Sequence, residues 1–239
     1  MSPTHKIGLL LYPNADLLDF AGPLEVFSHA LHNYDQDQPD RIFSITTLAR
    51  TQSISVGKDS LNVTANVVLN DNINNDEAIS QLLSQLDFDI LLVPGAPPAV
   101  VTEVSNEVEG VEKRVVRGFV GLGSTPNRER ILFSVCTGSV VLGAAGVLGG
   151  MRATTHYLAL GLLDQICRTT GEGKVDVVEV VEGKRFVDGG LLHAGGQVRL
   201  ITSGAISSGI DAALFVVKLV VGPEMAEFVV RVMEYEWRE

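Results

Sequence analysis

Cysteine is scarce in this chain. The 239 residues contain only Cys136 and Cys167, too few for the disulfide framework of a small secreted protein. Histidine is also scarce, and the five histidines include no HExxH motif. One pair, His29 and His32, shares a helical face that we expect to point to solvent. The sequence therefore predicts no metal site and no metal cofactor.

Positive charge is the second shortage. The chain has 18 Lys and Arg residues against 29 Asp and Glu, which gives a formal net charge of −11. A basic surface supplies most of the affinity of proteins for nucleic acid. The charge balance therefore predicts no nucleic-acid partner.

Long hydrophobic runs are also missing. The nearest, residues 131–149, contains six Gly or Ser residues together with a Thr and a Cys. This composition is typical of a tightly packed strand and helix rather than of a membrane span. The apolar stretch near the N-terminus is short and lacks the cleavage site of a signal peptide. We therefore expect no membrane partner and a cytoplasmic location.

The chain does have an alternation of short β-branched runs and helical patterns, with 46% hydrophobic residues to fill a core. The predicted strands are 6–12, 43–49, 61–69, 88–95 and 130–136, a hairpin within 174–196 that turns at Glu182-Gly183, and a last strand near 199. The predicted helices are 22–34, 77–86, 107–122, 137–147 and 158–167, a long helix after the last strand, and 223–237. Continuous apolar strands between helices indicate an α/β fold, a mostly parallel sheet with helices on both faces. No linker or repeat interrupts the chain, so we expect a single domain over residues 1–239.

Cys136 stands at the end of a predicted buried strand, and Thr137 and Gly138 follow it at the start of a helix. A nucleophile on such a turn is exposed to substrate, and the amides at the helix N-terminus favour thiolate over thiol. Gly138 permits the tight turn. The alternative is a buried cysteine that only packs. The position before Thr-Gly favours a reactive cysteine, whereas Cys167 lacks such a turn and is expected to pack.

Two aspartates follow the first predicted strand, at the sheet edge where ligands bind in parallel α/β folds. Asp19 is flanked by Leu18 and Phe20, so we expect its pKa to be raised and its proton to be available. Asp19 is equally well explained as a loop aspartate that accepts hydrogen bonds from backbone amides ahead of a helix. Asp16 competes with it from a more exposed position.

Gly95 and Ala96 follow another buried strand at the same edge. Their N–H groups can stabilise a developing negative charge, although the two prolines that come next cannot donate. Pro-Gly is also an ordinary turn signal. His156 can serve as a base for Cys136, or it can be a histidine that is merely hydrogen-bonded in the core.

The chain resembles the ThiJ/PfpI superfamily, whose members have the class I glutamine-amidotransferase-like fold. The segments that carry the resemblance are LLDFAGPLEVF, DILLVPGAP, SVCTGSVVLGAAGVLGGMRATTHY and SSGIDAALFVV, all within residues 6–221. The resemblance implies a flavodoxin-like three-layer sandwich, a homodimer and a cysteine at the turn between strand and helix.

Within the superfamily, the chain is most similar to isocyanide hydratases and to the ligand domains of certain AraC-type regulators. Its first segment resembles that of isocyanide hydratases in having an aspartate, where many members place a glutamate near the nucleophile. This resemblance assigns the acid and base to Asp19, the nucleophile to Cys136 and the neighbouring hydroxyl to Thr137.

Two departures from the family pattern bear on the substrate. Gly95 is followed by Ala96 and two prolines rather than by a second glycine, which changes the expected pocket. The stretches 118–130 and 191–204 are longer than the family norm. The resemblance therefore leaves open which substrate is bound and how a dimer is arranged.

The leading hypothesis is hydration of an isocyanide to an N-substituted formamide, in which Cys136 attacks the terminal carbon and Asp19 transfers the proton. This chemistry needs no cofactor. The residues expected at the small-molecule substrate are Gly95, Ala96, Gly138 and His156. One alternative is glyoxalase-like or deglycase-like chemistry on 2-oxoaldehydes, in which His156 matters more. Another is a non-catalytic ligand- or redox-sensing domain.

Overall fold

The computed structural model describes residues 4–70, 73, 75–125, 128–170, 177–192 and 198–238. Their strands are β1 His5–Leu10, β2 Phe43–Ala49, β3 Ser53–Val56, β4 Leu61–Thr64, β5 Val67–Val68, β6 Ile90–Val93, β7 Ile131–Val135, β8 Arg152–Ala153, β9 Glu179–Val180, β10 Phe186–Leu191 and β11 Arg199–Ser203. Their α-helices are α1 Leu17–Ser28, α2 Asp76–Leu86, α3 Pro98–Asn106, α4 Val111–Leu122, α5 Gly138–Ala144, α6 Leu160–Thr170, α7 Ser208–Val220 and α8 Pro223–Val232. A short 3₁₀ helix covers Tyr157–Ala159.

The central sheet has seven strands among the described residues, in the order β10-β11-β7-β6-β1-β2-β5. Neighbouring strands are parallel throughout, except that β10 runs antiparallel to β11. Two smaller pairs stand apart from the sheet, antiparallel β3–β4 and parallel β8–β9. The mostly parallel sheet predicted from the sequence is confirmed.

Both faces of the sheet are buried. Along β6, Leu91 and Val93 belong to one hydrophobic core, and Ile90 and Leu92 belong to the other. Helices α2 to α6 contribute to the first core, and α1, α7 and α8 contribute to the second. Side chains of a strand alternate between its faces, so this distribution gives helix, sheet and helix as three layers. The flavodoxin-like sandwich implied by the resemblance is confirmed.

The predicted hairpin at Glu182-Gly183 is wrong. Strand β9 pairs with β8, and β10 pairs with β11, with a register shift between Asp188 and Gly190. The two strands therefore satisfy their backbone groups in different sheets, which the local turn signal alone does not reveal. Residues 174–176 and 193–196 of the predicted hairpin lie outside the described residues. So do residues 126–127 of the stretch 118–130 and residues 193–197 of the stretch 191–204, the two stretches that are longer than the family norm.

Several element boundaries also differ from prediction. Helix α1 begins at Leu17 and contains Pro23 in its interior, whereas the predicted helix 22–34 has that proline in its first turn. Asp19 consequently lies in the first turn of a helix and not in a loop. The predicted strand 61–69 is divided into β4 and β5, α3 was not predicted, and the last helix ends at Val232.

Candidate active site

Cys136 occupies the turn between β7 and α5, one residue after the strand ends. Its backbone φ is 57°, in the left-handed region that residues other than glycine seldom adopt. Hydrogen bonds hold this conformation on both sides. The Cys136 N–H donates to the Ser203 carbonyl at 2.9 Å, and the Cys136 carbonyl accepts from Thr155 Oγ1 at 3.0 Å. The structure therefore contains the sharp strand-to-helix turn expected from the sequence, with backbone strain at the cysteine itself.

The first turn of α5 packs very closely against the end of β6. A Cβ atom on Gly138 would lie 2.3 Å from the carbonyl oxygen of Val93 and 2.8 Å from that of Pro94. Both atoms belong to the backbone, so they cannot move aside as the end of a side chain would. Glycine is required at this position for the helix to begin where it does. Contact between Gly138 and a substrate stays a prediction.

Asp19 is fully buried in the first turn of α1. Its Oδ2 accepts a hydrogen bond from the Gly95 N–H at 2.9 Å, whereas Oδ1 is buried and accepts no hydrogen bond from an N–H or O–H group of the described residues. Burial raises the pKa of Asp19 to about 7, the Gly95 amide opposes this, and the charge of Asp16 raises it further. Near neutral pH this carboxyl can both hold and release a proton.

The Cys136 thiol lies beside this carboxyl. Sγ of Cys136, one oxygen of Asp19 and one oxygen of Asp16 all lie within 4.8 Å of one another. Burial raises the pKa of the Cys136 thiol well above its usual range, the charge of Asp19 adds to this, and the Thr137 amide opposes it. The expectation that the helix N-terminus makes Cys136 a thiolate is therefore wrong, because burial and a carboxylate outweigh a backbone amide.

Asp19 and Cys136 form a coupled pair. A hydrogen bond between the two side chains contributes to both pKa values, lowering that of the carboxyl and raising that of the thiol. Each negative charge disfavours the other, so near neutral pH the pair holds at least one proton. A thiolate at Cys136 forms most readily when its proton passes to Asp19, since the charge of the pair is then unchanged. Cys136 is 3% exposed, which restricts direct attack to small molecules.

Thr137 connects the turn to the segment after β6. Its hydroxyl donates to the Ala96 carbonyl at 2.7 Å and accepts from the Ala96 N–H at 2.9 Å. A Cβ atom on Gly95 would lie 2.6 Å from this hydroxyl and 2.7 Å from Asp19 Oδ2. The N–H groups of Gly95 and Ala96, expected to stabilise charge on a substrate, are thus already hydrogen-bonded within the protein. They orient Asp19 and Thr137 instead.

Tyr12 is a further residue of the site, and the sequence analysis missed it. It is fully buried two residues after β1 ends, and its hydroxyl donates to the Pro94 carbonyl. Burial raises the pKa of Tyr12 well above its ordinary value, and the charges of Asp19 and Cys136 act in the same direction. The signal in the sequence was a hydroxyl-bearing residue at the end of an apolar strand, where a buried hydroxyl needs a partner.

The open side of the site carries charged groups. Asp16 is partly exposed; burial raises its pKa, and the charges of Lys58 and His156 lower it. His156 accepts a hydrogen bond from the Leu158 N–H through Nδ1 at 3.4 Å. Between the described residues no hydrogen bond joins His156 to Cys136, so a role for His156 as its base stays a prediction.

Cys167 packs as expected. It lies on α6, and its Sγ would be 2.9 Å from a Cβ atom on Gly143 of α5. Burial raises the pKa of its thiol to about 11. The small residue on α5 therefore leaves room for this sulfur, and Cys167 helps to fix the helix that follows the Cys136 turn.

Comparison with known proteins adds to this geometry. The sequence pattern of the DJ-1/PfpI family matches residues 5–218. The chain belongs to the DJ-1/PfpI family. It is 29% identical over 237 residues to the isonitrile hydratase of Pseudomonas putida, an alignment that covers 96% of this chain and 78% of that protein. The ThiJ/PfpI resemblance found in the sequence is confirmed.

Solved structures show the same fold. A ThiJ/PfpI family protein from Pseudomonas syringae superimposes with a TM-score of 0.66 and 19% identity, covering 99% of this chain and 77% of that one. DJ-1beta from Drosophila melanogaster gives a TM-score of 0.69 and 16% identity, covering 98% and 100%. At these identities the likeness shows the DJ-1/PfpI fold alone. Among the described residues, no helix has the length and apolar character needed to cross a membrane.

Proposed function

We propose that this DJ-1/PfpI family member is a cysteine-dependent enzyme that hydrates isocyanides to N-substituted formamides. The observation that carries the proposal is the buried Asp19 carboxyl beside Cys136 on a strained turn. The similarity to an isonitrile hydratase over nearly the whole chain supports it, because isonitrile is another word for isocyanide.

The first step uses the proton of the coupled pair. Cys136 passes its proton to Asp19, and the sulfur attacks the electron-deficient terminal carbon of R–N≡C. Asp19 then returns the proton to that carbon, which gives the thioimidate R–N=CH–S–Cys. One S–C bond forms, one N–C bond order is lost, and the Asp19 carboxylate is left free to act as a base.

The second step adds water. Asp19 takes a proton from water as the hydroxyl adds to the thioimidate carbon, and it passes this proton to the nitrogen. Asp19 then takes the hydroxyl proton as the C–S bond breaks and R–NH–CHO leaves, and the proton returns to the Cys136 sulfur. The Gly95 N–H on Oδ2 fixes the carboxyl throughout, so that Oδ1 faces the proton transfers.

Formamide production from a simple alkyl or aryl isocyanide tests the proposal. We expect Cys136→Ala to abolish turnover and Asp19→Asn to lower kcat/KM by about 10²- to 10⁴-fold, the usual contribution of a general acid and base. Asp37→Asn, which removes an equal charge from an exposed loop, is the matched control and leaves activity unchanged. Absence of formamide at high enzyme concentration, or full activity of Cys136→Ala, would contradict the proposal.

The same experiment separates the other hypotheses. Turnover of methylglyoxal that is lost in His156→Ala, without turnover of isocyanides, identifies a glyoxalase-like enzyme. Oxidation of Cys136 without turnover of either substrate identifies a sensor.

We also propose that the chain forms a homodimer. Light scattering after gel filtration tests this, and a monomer at micromolar concentration would overturn it.

A further inference from the structure

A cavity borders the two chain segments that hold the Cys136 turn. Its volume is about 170 Å³, and Thr155 and Gly204 form part of its wall. Thr155 Oγ1 donates to the Cys136 carbonyl, and Gly204 follows Ser203, whose carbonyl accepts from the Cys136 N–H. The cavity is therefore a neighbour of the candidate active site, although Cys136 itself does not line it.

The wall of this cavity carries positive charge. Lys184 and Arg185 line it, and no Asp or Glu of the described residues does so. Arg185 donates to the buried carboxylate of Asp211, so its charge is balanced within the protein. Lys184 is exposed and forms no ion pair with a described residue. In a chain with a net charge of −11, an unbalanced lysine at a cavity is a binding group for an anion.

A larger cavity beside α4 has the opposite arrangement. Its volume is about 330 Å³, and Arg50 lines it together with Glu107 and Glu109. Arg50 donates to Glu107 at 3.2 Å and to Glu112 at 2.7 Å. The protein's own carboxylates occupy this guanidinium, and an external anion would have to displace them. The cavity at Lys184 is therefore the better site for an anion.

The rest of the Lys184 cavity suits the apolar part of a ligand. The hydroxyls of Thr154, Thr155 and Ser208 donate to backbone carbonyls at 2.7, 3.0 and 2.7 Å, so their protons are not available to a ligand. Tyr157 is 70% exposed and lines the cavity with Leu160. Apolar and aromatic walls with a few polar groups are typical of sites for small organic molecules.

We propose that this cavity binds a small organic carboxylate, with the carboxylate on Lys184 and an apolar body against Tyr157 and Leu160. A lysine ammonium binds a carboxylate through charge-assisted hydrogen bonds. The volume limits the ligand to roughly the size of a single aromatic ring. The carboxylate belongs either to a separate ligand or to the R group of an isocyanide, and binding itself does not depend on the proposed hydration reaction.

The experiment titrates the full chain with 4-fluorobenzoate and follows the ligand by fluorine NMR. The neutral 4-fluorobenzamide is the matched ligand. Arg41→Gln, which removes an equal charge from an exposed position before β2, is the matched variant. We expect one saturable 4-fluorobenzoate site per chain, at least tenfold weaker binding of the amide and in Lys184→Gln, and no change in Arg41→Gln. Lys184→Arg is expected to restore most of the affinity, and Tyr157→Ala to lower it at least threefold.

Three results would overturn the proposal. They are equal affinity for the benzoate and the benzamide, equal affinity of Lys184→Gln and the unmodified protein, and no saturable binding at high millimolar benzoate. Lys184 is exposed, so Lys184→Gln is expected to fold, and urea unfolding checks this.

A second arm identifies the source of the carboxylate and rests on the proposed function. It compares kcat/KM for 4-isocyanobenzoate and for its methyl ester. A preference for the acid that is lost in Lys184→Gln assigns the carboxylate to the substrate. An acid-to-ester ratio that is equal in both proteins, with 4-fluorobenzoate still bound, assigns it to a separate ligand. Absence of turnover contradicts the proposed function and leaves the binding result intact.

Discussion

Replacing Asp19 by asparagine is expected to stabilise the protein at mildly alkaline pH while it lowers the activity. Asparagine is nearly the same size and its carbonyl oxygen can still accept the Gly95 N–H, so the local packing is retained. What disappears is the cost of ionising a buried carboxyl. A pKa shift from 3.8 to about 7 corresponds to about 4 kcal/mol of destabilisation once the carboxyl is ionised in both states.

The direction of the pH dependence follows from the raised pKa. The folded protein holds the Asp19 proton more tightly than the unfolded chain does. The stability linked to that proton is therefore fully present below pH 3.8, the ordinary pKa of the carboxyl in the unfolded chain. It is lost as the pH rises towards about 7, the pKa in the folded state. Between about pH 5 and about pH 8 this carboxyl should lower the free energy of unfolding by about 2 to 3 kcal/mol.

Urea unfolding at these two pH values measures the effect. As the pH is raised from about 5 to about 8, the free energy of unfolding is expected to fall in the unmodified protein and in Asp37→Asn. The fall is expected to be about 2 to 3 kcal/mol larger than in Asp19→Asn. Cys136 does not complicate the comparison, because its raised pKa keeps the thiol protonated in this range. If Asp19→Asn showed the same pH dependence as the unmodified protein, the carboxyl would have an ordinary pKa and the coupled pair would not exist.

Two further substitutions test the geometry of the turn. Gly138→Ala brings a Cβ against backbone oxygens and should lower the free energy of unfolding by about 1 to 3 kcal/mol, whereas Gly161→Ala, a helical glycine with open space, should raise it by up to about 1 kcal/mol. Urea unfolding distinguishes the two, and equal stability of both variants would contradict the close approach. Thr137→Val leaves the Ala96 N–H and carbonyl unpaired and should lower the free energy of unfolding by about 2 kcal/mol. Thr137→Ser keeps a hydroxyl and should lower it much less.

The fold was largely predictable because hydrophobic patterning is a local signal. The continuous apolar runs that became β6 and β7 predict a sheet that is buried on both faces, and the structure confirms it. The pairing of β9 and β10 was not predictable in the same way. A turn signal at Glu182-Gly183 says only that the chain bends there, and the partner of each strand is chosen by residues far away in sequence.

The candidate site was predictable to the extent that it depends on position at a sheet edge. Cys136 and Asp19 both follow parallel strands, and the structure brings them together. The ionisation of the thiol was not predictable from the helix N-terminus alone. It depends on how far Cys136 is buried and on a carboxyl more than a hundred residues away, and neither quantity is encoded locally.

The raised pKa values of both members of the pair bear on the type of reaction that the site favours. Reactions that leave a negative charge on both groups are disfavoured, because burial penalises each charge and the two repel. In the proposed hydration the thiol proton moves to Asp19, then to the substrate carbon, and a proton from water replaces it. The sulfur loses its negative charge when the S–C bond forms. Asp19 becomes negatively charged only afterwards, when it gives its proton to the substrate carbon. The pair therefore never carries two negative charges, and burial that makes Cys136 a poor free thiolate is compatible with its role as a nucleophile.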